Sequence, residues 1–263
     1  MKNIMKLKIL CGAAVVLSLL TATTRGQVIS WNVDANGTIS GANVAGVASA
    51  ANWNDSWLEN GNAINAYGSP TVVNGLVNNS GTATTLSIAY QAWGFWSVQG
   101  SAPGQDADGS YNRNLLNGYL NAGPAAWGPP VTNSTIALSQ IPYAQYDLYV
   151  YFSSDTAGRI GNVSDGTTTY DFTSIGPSET SGANALFTRT TDTLGNNPSA
   201  DYAIFSGETA GSLTITCNPL GGNDQWLGIA GFQIVAVPEP GTLALGTLGL
   251  AVLGAMYRRG RLN

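Results

Sequence analysis

The chain has 263 residues, 44% of them hydrophobic and only 10% charged. Between residues 27 and 237 fourteen acids face only three cations, Arg113, Arg159 and Arg189, for a formal charge of −11; a lysine-free acidic surface repels nucleic-acid phosphates and anionic lipid head groups, so neither is an expected partner. Histidine is absent from the whole sequence, which excludes Ser-His-Asp and Cys-His nucleophiles, histidine general bases and the common His-containing zinc sites.

Residues 1–26 read as a secretory signal. Lys2, Lys6 and Lys8 supply its positive start and Ile9 to Leu20 its apolar run, followed by small residues. Cleavage between Gly26 and Gln27 is expected, with Thr24 at −3 and Gly26 at −1; a cut after Thr24 is the alternative. The apolar run is shorter than the roughly 20 residues a membrane span needs. Cys11 falls early in that run, so the mature chain keeps one thiol, Cys217, and no intramolecular disulfide.

Residues 27–237 lack any long amphipathic helix. Short runs of Val, Ile, Tyr, Phe and Thr alternate with Gly, Asn, Asp, Ser and Pro clusters, the pattern of an all-β, two-layer β-sandwich. Strands are predicted in chain order at Val28–Val33, Thr71–Val77, Thr84–Tyr90, Phe95–Gln99, Thr135–Leu138, Tyr146–Phe152 and Thr167–Phe172. Four more follow at Ala185–Thr190, Tyr202–Ser206, Ser212–Thr216 and Ile229–Ala236. In Tyr146–Phe152 one face carries Tyr146, Leu148, Val150 and Phe152 and the other Asp147, Tyr149 and Tyr151, as suits a central strand. One short helix is predicted at Asn114–Leu120, where Leu115, Leu116, Tyr119 and Leu120 share a face; the rest of 101–133 reads as loop. Tyr146–Phe152 and Ile229–Val235 resemble strands of galactose-binding-like jelly rolls, which implies a jelly-roll-like sandwich.

Candidate ligand residues are few. Trp93, Phe95 and Trp96 cluster tightly, and flat rings beside Asn, Gln and Asp suit stacking against sugars; packing of Trp93 and Trp96 into the core is the competing reading. Asp106, Asp108 and Ser110 place oxygen atoms at alternate positions, as calcium loops do, but Tyr111 and Asn117 stand where such a loop has its Gly and Glu. A plain Asp/Gly turn is the simpler reading, and no other metal or cofactor is expected. Two carboxylates alone could hydrolyse a glycosidic bond, yet spacing does not say which of the many acids face each other. The expected activity is therefore non-catalytic, with contact to extracellular polysaccharide; a glycan-active enzyme or a purely structural, adhesive matrix protein are the alternatives.

The last segment reads Pro238-Glu239-Pro240, then seventeen uncharged residues 241–257, then Arg258, Arg259 and Arg261. As a helix rising about 1.5 Å per residue the uncharged stretch would reach roughly 25 Å, near the lower limit for crossing a bilayer. The arginines favour the cytoplasmic side and act as a membrane stop, while the prolines keep 238–240 extended and accessible. This ordered combination resembles the PEP-CTERM protein-sorting signal, also labelled the ice-binding protein C-terminal domain. The resemblance implies a substrate of exosortase, a membrane processing enzyme, working after the secretion machinery and signal peptidase. The implied address is the inner membrane, at least transiently, and then the cell surface or extracellular matrix.

Overall fold

The computed structural model describes residues 27–34, 38–57, 70–98, 104–122, 132–176, 187–221, 226–238 and 249. In chain order the strands are β1 Val28–Asp34, β2 Asn54–Trp57, β3 Thr71–Asn74, β4 Ser87–Gln91, β5 Gly94–Ser97, β6 Gly118–Asn121 and β7 Ser134–Ser139. They continue with β8 Tyr146–Ser154, β9 Ile160–Ser164, β10 Thr169–Ser174, β11 Ser199–Ala200, β12 Tyr202–Glu208, β13 Ser212–Pro219 and β14 Leu227–Ala236, and helix α1 spans Asn112–Asn117. All lie within residues 27–237, which form one compact unit.

The strands form two seven-stranded sheets. The first runs β12-β8-β14-β1-β2, with β6 joined to β14 and β5 to β6; the second runs β11-β10-β9-β13-β7-β4-β3. Alternation of side chains brings Trp31, Val150, Phe232 and Ile234 of the first sheet into one apolar cluster with Tyr90, Ile136, Phe172 and Ile215 of the second. Aromatic contacts cross between the layers, Trp31 to Tyr90 at 5.4 Å and Tyr170 to Phe205 at 5.2 Å between ring centroids. These contacts lay the sheets face to face, as the strand pattern predicts. The second sheet alternates buried with partly exposed positions in β4 and β7, so its outer face meets solvent.

The outer face of the first sheet does not. Tyr149 and Tyr151, predicted to point away from the core, do so, but into a second apolar cluster. Ile39, Ala45 and Trp53 from the segment after β1, with Leu115 and Leu116 from α1, cover that face. Polar pairing fastens the cover: Gln233 accepts from the Tyr151 hydroxyl (2.6 Å) and the Ala48 amide (3.2 Å), and donates to Ser30 Oγ (3.1 Å) and the Ala48 carbonyl (2.8 Å). Each polar atom of the buried Gln233 amide is thus satisfied, as burial requires. Gly46 allows this approach, since its φ is +89° and a Cβ there would run into the Gln233 amide.

Two predicted elements need correction. The helix expected over Asn114–Leu120 ends at Asn117, because Gly118 is already extended (φ −107°, ψ 147°) and Tyr119 and Leu120 pair with β5 as strand β6. The strand expected at Ala185–Thr190 is not formed by its described residues; Arg189 makes only an isolated bridge to Tyr202. Four strands, β2, β6, β9 and β11, were not predicted, and β3 stops at Asn74 where Gly75 turns with φ +67°. Cys217 is a buried member of the core within β13. Among the described residues no helix is long and apolar enough to cross a membrane. The expected signal 1–26 and, Gly249 apart, the expected span 241–257 lie outside the described residues.

Candidate functional site

The cleft begins with a bulge. Strand β14 pairs along one edge with β8, and its other edge is shared end to end by β6, at Gly228 and Ile229, and β1, at Gly231 to Val235. Between them Ala230 is an extra residue in the β8 register, which bends the strand where its neighbour changes. At Gly228 a Cβ would overlap the Leu120 carbonyl oxygen, so only glycine lets β6 close against β14. This docking sets Tyr119 and Asn121 beside β5, whose Trp96 lies opposite Tyr119 in register.

The result is a cleft of ≈ 210 Å³ lined by Trp93, Trp96, Tyr119, Asn121, Asp155 and Trp226. Trp93 and Trp226 meet edge to face, 5.6 Å between centroids at 76°, and both are half-buried. Two lining side chains carry buried polar atoms without a hydrogen-bond partner among the described residues, Trp96 Nε1 and Asn121 Oδ1, while Tyr119 Oη lies against the Asp155 amide. A buried donor or acceptor left unpaired costs about 1–3 kcal/mol, so such atoms are scarce and their gathering at one cleft marks a place for a polar occupant. Burial, and then the nearby Asp155 carboxylate, hold the Tyr119 phenol well above its usual pKa, while the Asp155 amide and Arg159 pull the other way; it stays a neutral hydroxyl. Asp155 also accepts from Arg159 Nη2 at 3.3 Å.

The four predicted ligand residues divide. Trp93 and Trp96 come together in this cleft, whereas Asp106 and Asp108 are not among its lining residues. Asp106 is 4% exposed and receives Arg113 Nε at 3.1 Å on one oxygen, with Arg113 N (3.1 Å) and Ser110 Oγ (3.2 Å) on the other. Asp108 Oδ1 accepts the Ser110 amide at 2.9 Å, which lowers its pKa. The carboxylate proposed as a calcium ligand is therefore directed at a guanidinium, and the segment is an Asp/Gly turn that leads into α1. Among the described residues no three acidic, cysteine or histidine side chains cluster as a metal site.

A pair of acids, Asp34 and Asp55, stands at the end of β1 and near the start of β2. Thr38 Oγ1 donates to Asp34 at 2.6 Å and the Ile39 amide to Asp55 at 3.4 Å. Burial raises the Asp55 pKa to about 7; the Ile39 amide lowers it and the Asp34 charge adds to the rise. These acids tether the start of the segment that covers the first sheet.

At the other end of the unit, the Ala236 amide donates to the Gln27 carbonyl at 2.9 Å and the Val237 amide to the Gln145 carbonyl at 3.0 Å. Pro238 follows, exposed. Residues 236–261 match the PEP-CTERM protein-sorting motif. The chain carries an exosortase sorting signal. No curated protein matches the chain. The PEP-CTERM motif marks the chain for export and membrane-associated sorting by exosortase. Of its predicted residues Pro238 is described; Glu239, Pro240, Arg258, Arg259 and Arg261 lie outside the described residues, as does Gly26 at the expected signal cleavage point beside the exposed Gln27.

Sequence reasoning missed Tyr119, Asn121 and Asp155 as site residues. Gly118 was the available signal: a glycine directly after the helical run marks a helix end, and would have freed Tyr119 to Asn121 for a strand.

Proposed function

We propose that this is a non-catalytic protein of the cell surface or extracellular matrix that reaches the membrane by signal-peptide export, is processed there by exosortase through its PEP-CTERM tail, and contacts extracellular polysaccharide through the tryptophan cleft. The observation that carries the polysaccharide contact is the conjunction in one cleft of two half-buried indoles, Trp93 and Trp226, with unpartnered polar atoms on Trp96 and Asn121. Apolar ring faces flanked by a few fixed polar groups are what a sugar, with its apolar C–H face and hydroxyl rim, needs from a site.

The chemistry of the cleft supports binding over turnover. Glycoside hydrolysis by the usual route needs two carboxyl groups across the bond, and Asp155 is the one carboxylate among the described lining residues, held by Arg159. Asp34 and Asp55 are adjacent acids, but each accepts a hydrogen bond from the chain just after β1, which supports a structural role.

Co-sedimentation of the full chain with insoluble extracellular polysaccharide tests the reading. Wild-type protein is expected to partition with the polymer, and Trp93→Ala, which removes one half-buried wall while leaving the sheet pairing intact, is expected to lose at least tenfold in retention. Equal retention of the two proteins, with the variant's thermal transition unchanged, would remove the cleft from the account.

A further inference from the structure

The cleft differs from a generic sugar platform in the direction of its polar atoms. Trp96 Nε1 can only donate. Asn121 Oδ1 can only accept, and Tyr119 Oη can do either. All three residues are held by the β5–β6–β14 pairing and not by a loop. Asn121 is 1% exposed and Tyr119 0%, so neither is a surface group that water satisfies in passing. At ≈ 210 Å³ the space is below the roughly 300–1,000 Å³ of sites for drug-sized ligands, and so fits one ring.

From these observations, and resting on the polysaccharide reading above, we infer that the cleft binds a single uncharged hexopyranose unit, with one ring face against the Trp93–Trp226 corner, one hydroxyl donating to Asn121 Oδ1 and one oxygen accepting from Trp96 Nε1. A hydroxyl both donates and accepts, so one sugar edge answers the paired donor and acceptor. A uronate does not fit. Its carboxylate would meet Asp155, the charged residue among the described lining residues, and Arg159 is already bound to Asp155 at 3.3 Å. The formal charge of −11 over residues 27–237 opposes a polyanion at longer range as well.

The test is a titration of the detergent-purified full chain, followed by tryptophan fluorescence. The probes are gluco-, manno- and galacto-configured neutral hexaoses on one side and oligogalacturonate on the other. The expected result is saturable quenching by at least one neutral hexaose, no saturation with oligogalacturonate at tenfold higher concentration, and loss of binding by tenfold or more in both Asn121→Leu and Trp226→Ala. Asn121→Leu removes an unpaired buried acceptor, so its thermal transition is expected to be unchanged or higher while binding falls, which a merely structural Asn121 would not produce. Should Asn121→Leu fail to fold, Trp226→Ala, at the half-buried rim, decides the same point. Saturation by oligogalacturonate that the same variants abolish overturns the uncharged class and leaves the cleft as a sugar site. Saturation by no probe, or binding that survives in the folded variants, overturns both the class and the cleft.

Discussion

Asp55 shows how a single side chain ties burial to pH. Its carboxyl is largely removed from water near the start of β2, beside Asp34, and its pKa rises to about 7 from an unfolded value of 3.8. The folded state therefore holds this proton more tightly than the unfolded chain does. Stability from this group is fully present below about pH 3.8, declines as pH rises, and is gone above about pH 7, where the native state must bury a charge. Replacing the ionisable group with its neutral isostere in Asp55→Asn is expected to flatten that slope. Measured by chemical denaturation, the variant should gain on the wild type by on the order of 2 kcal/mol between pH 5 and pH 8. Parallel profiles for the two proteins would show that water reaches Asp55 more freely than its packing implies. Glu208, raised by burial and by Asp165, adds a slope of the same sign to both proteins and cancels in the comparison.

At the scale of elements, the cleft depends on a short strand held by a missing side chain. Strand β6 reaches β14 because Gly228 lets the Leu120 carbonyl approach where a Cβ would sit. Gly228→Ala is expected to push β6 outward and cost about 1–3 kcal/mol, in the range of overpacked sites. Hydrogen exchange is the discriminating measurement: amides of 94–97 and 118–121 should lose protection while those of β7 and β13 in the other sheet keep theirs. Uniform loss, or none, would mean that β6 is not the separately docked element described here. The sequence patterns explain why β6 was hidden while its neighbours were legible. Tyr146–Phe152 alternates and Ile229–Ala236 is a nearly continuous apolar run, and both were read as strands; Leu115, Leu116, Tyr119 and Leu120 happen to fall at helical spacing, so one turn of helix and one strand were fused into one predicted helix. The Gly and Asn in Ile160–Ser164 likewise lower its strand propensity, and β9 forms because β10 and β13 flank it on both edges. The tryptophans of the cleft were visible as a local cluster, but Asn121, Asp155 and Trp226 reach it from three other segments, and no local pattern encodes that meeting.

For the whole molecule, the first and last strands of the folded unit are partners. Val28 pairs with Val235, and β1 and β14 both lie inside the first sheet, so the core closes only once residues near 235 are available. Folding of the unit must therefore await its last strand, and the sorting motif follows at once, since backbone hydrogen bonding extends to Val237 and Pro238 is already exposed. This placement separates processing from stability. Replacing Pro238, Glu239 and Pro240 together with alanine removes the Pro-Glu-Pro triplet of the PEP-CTERM motif but no hydrogen bond of the sheets described here. The triple variant is expected to accumulate as an unprocessed, membrane-associated precursor whose denaturation midpoint matches that of the wild type, read by intact mass and by fractionation. A midpoint that falls with the substitution would place part of the tail within the folded unit, and maturation to the wild-type mass would show that processing does not require the Pro-Glu-Pro triplet. Because the domain's last backbone bond lies at Val237, directly before the triplet, a cut at the motif is expected to leave both sheets of the β-unit intact.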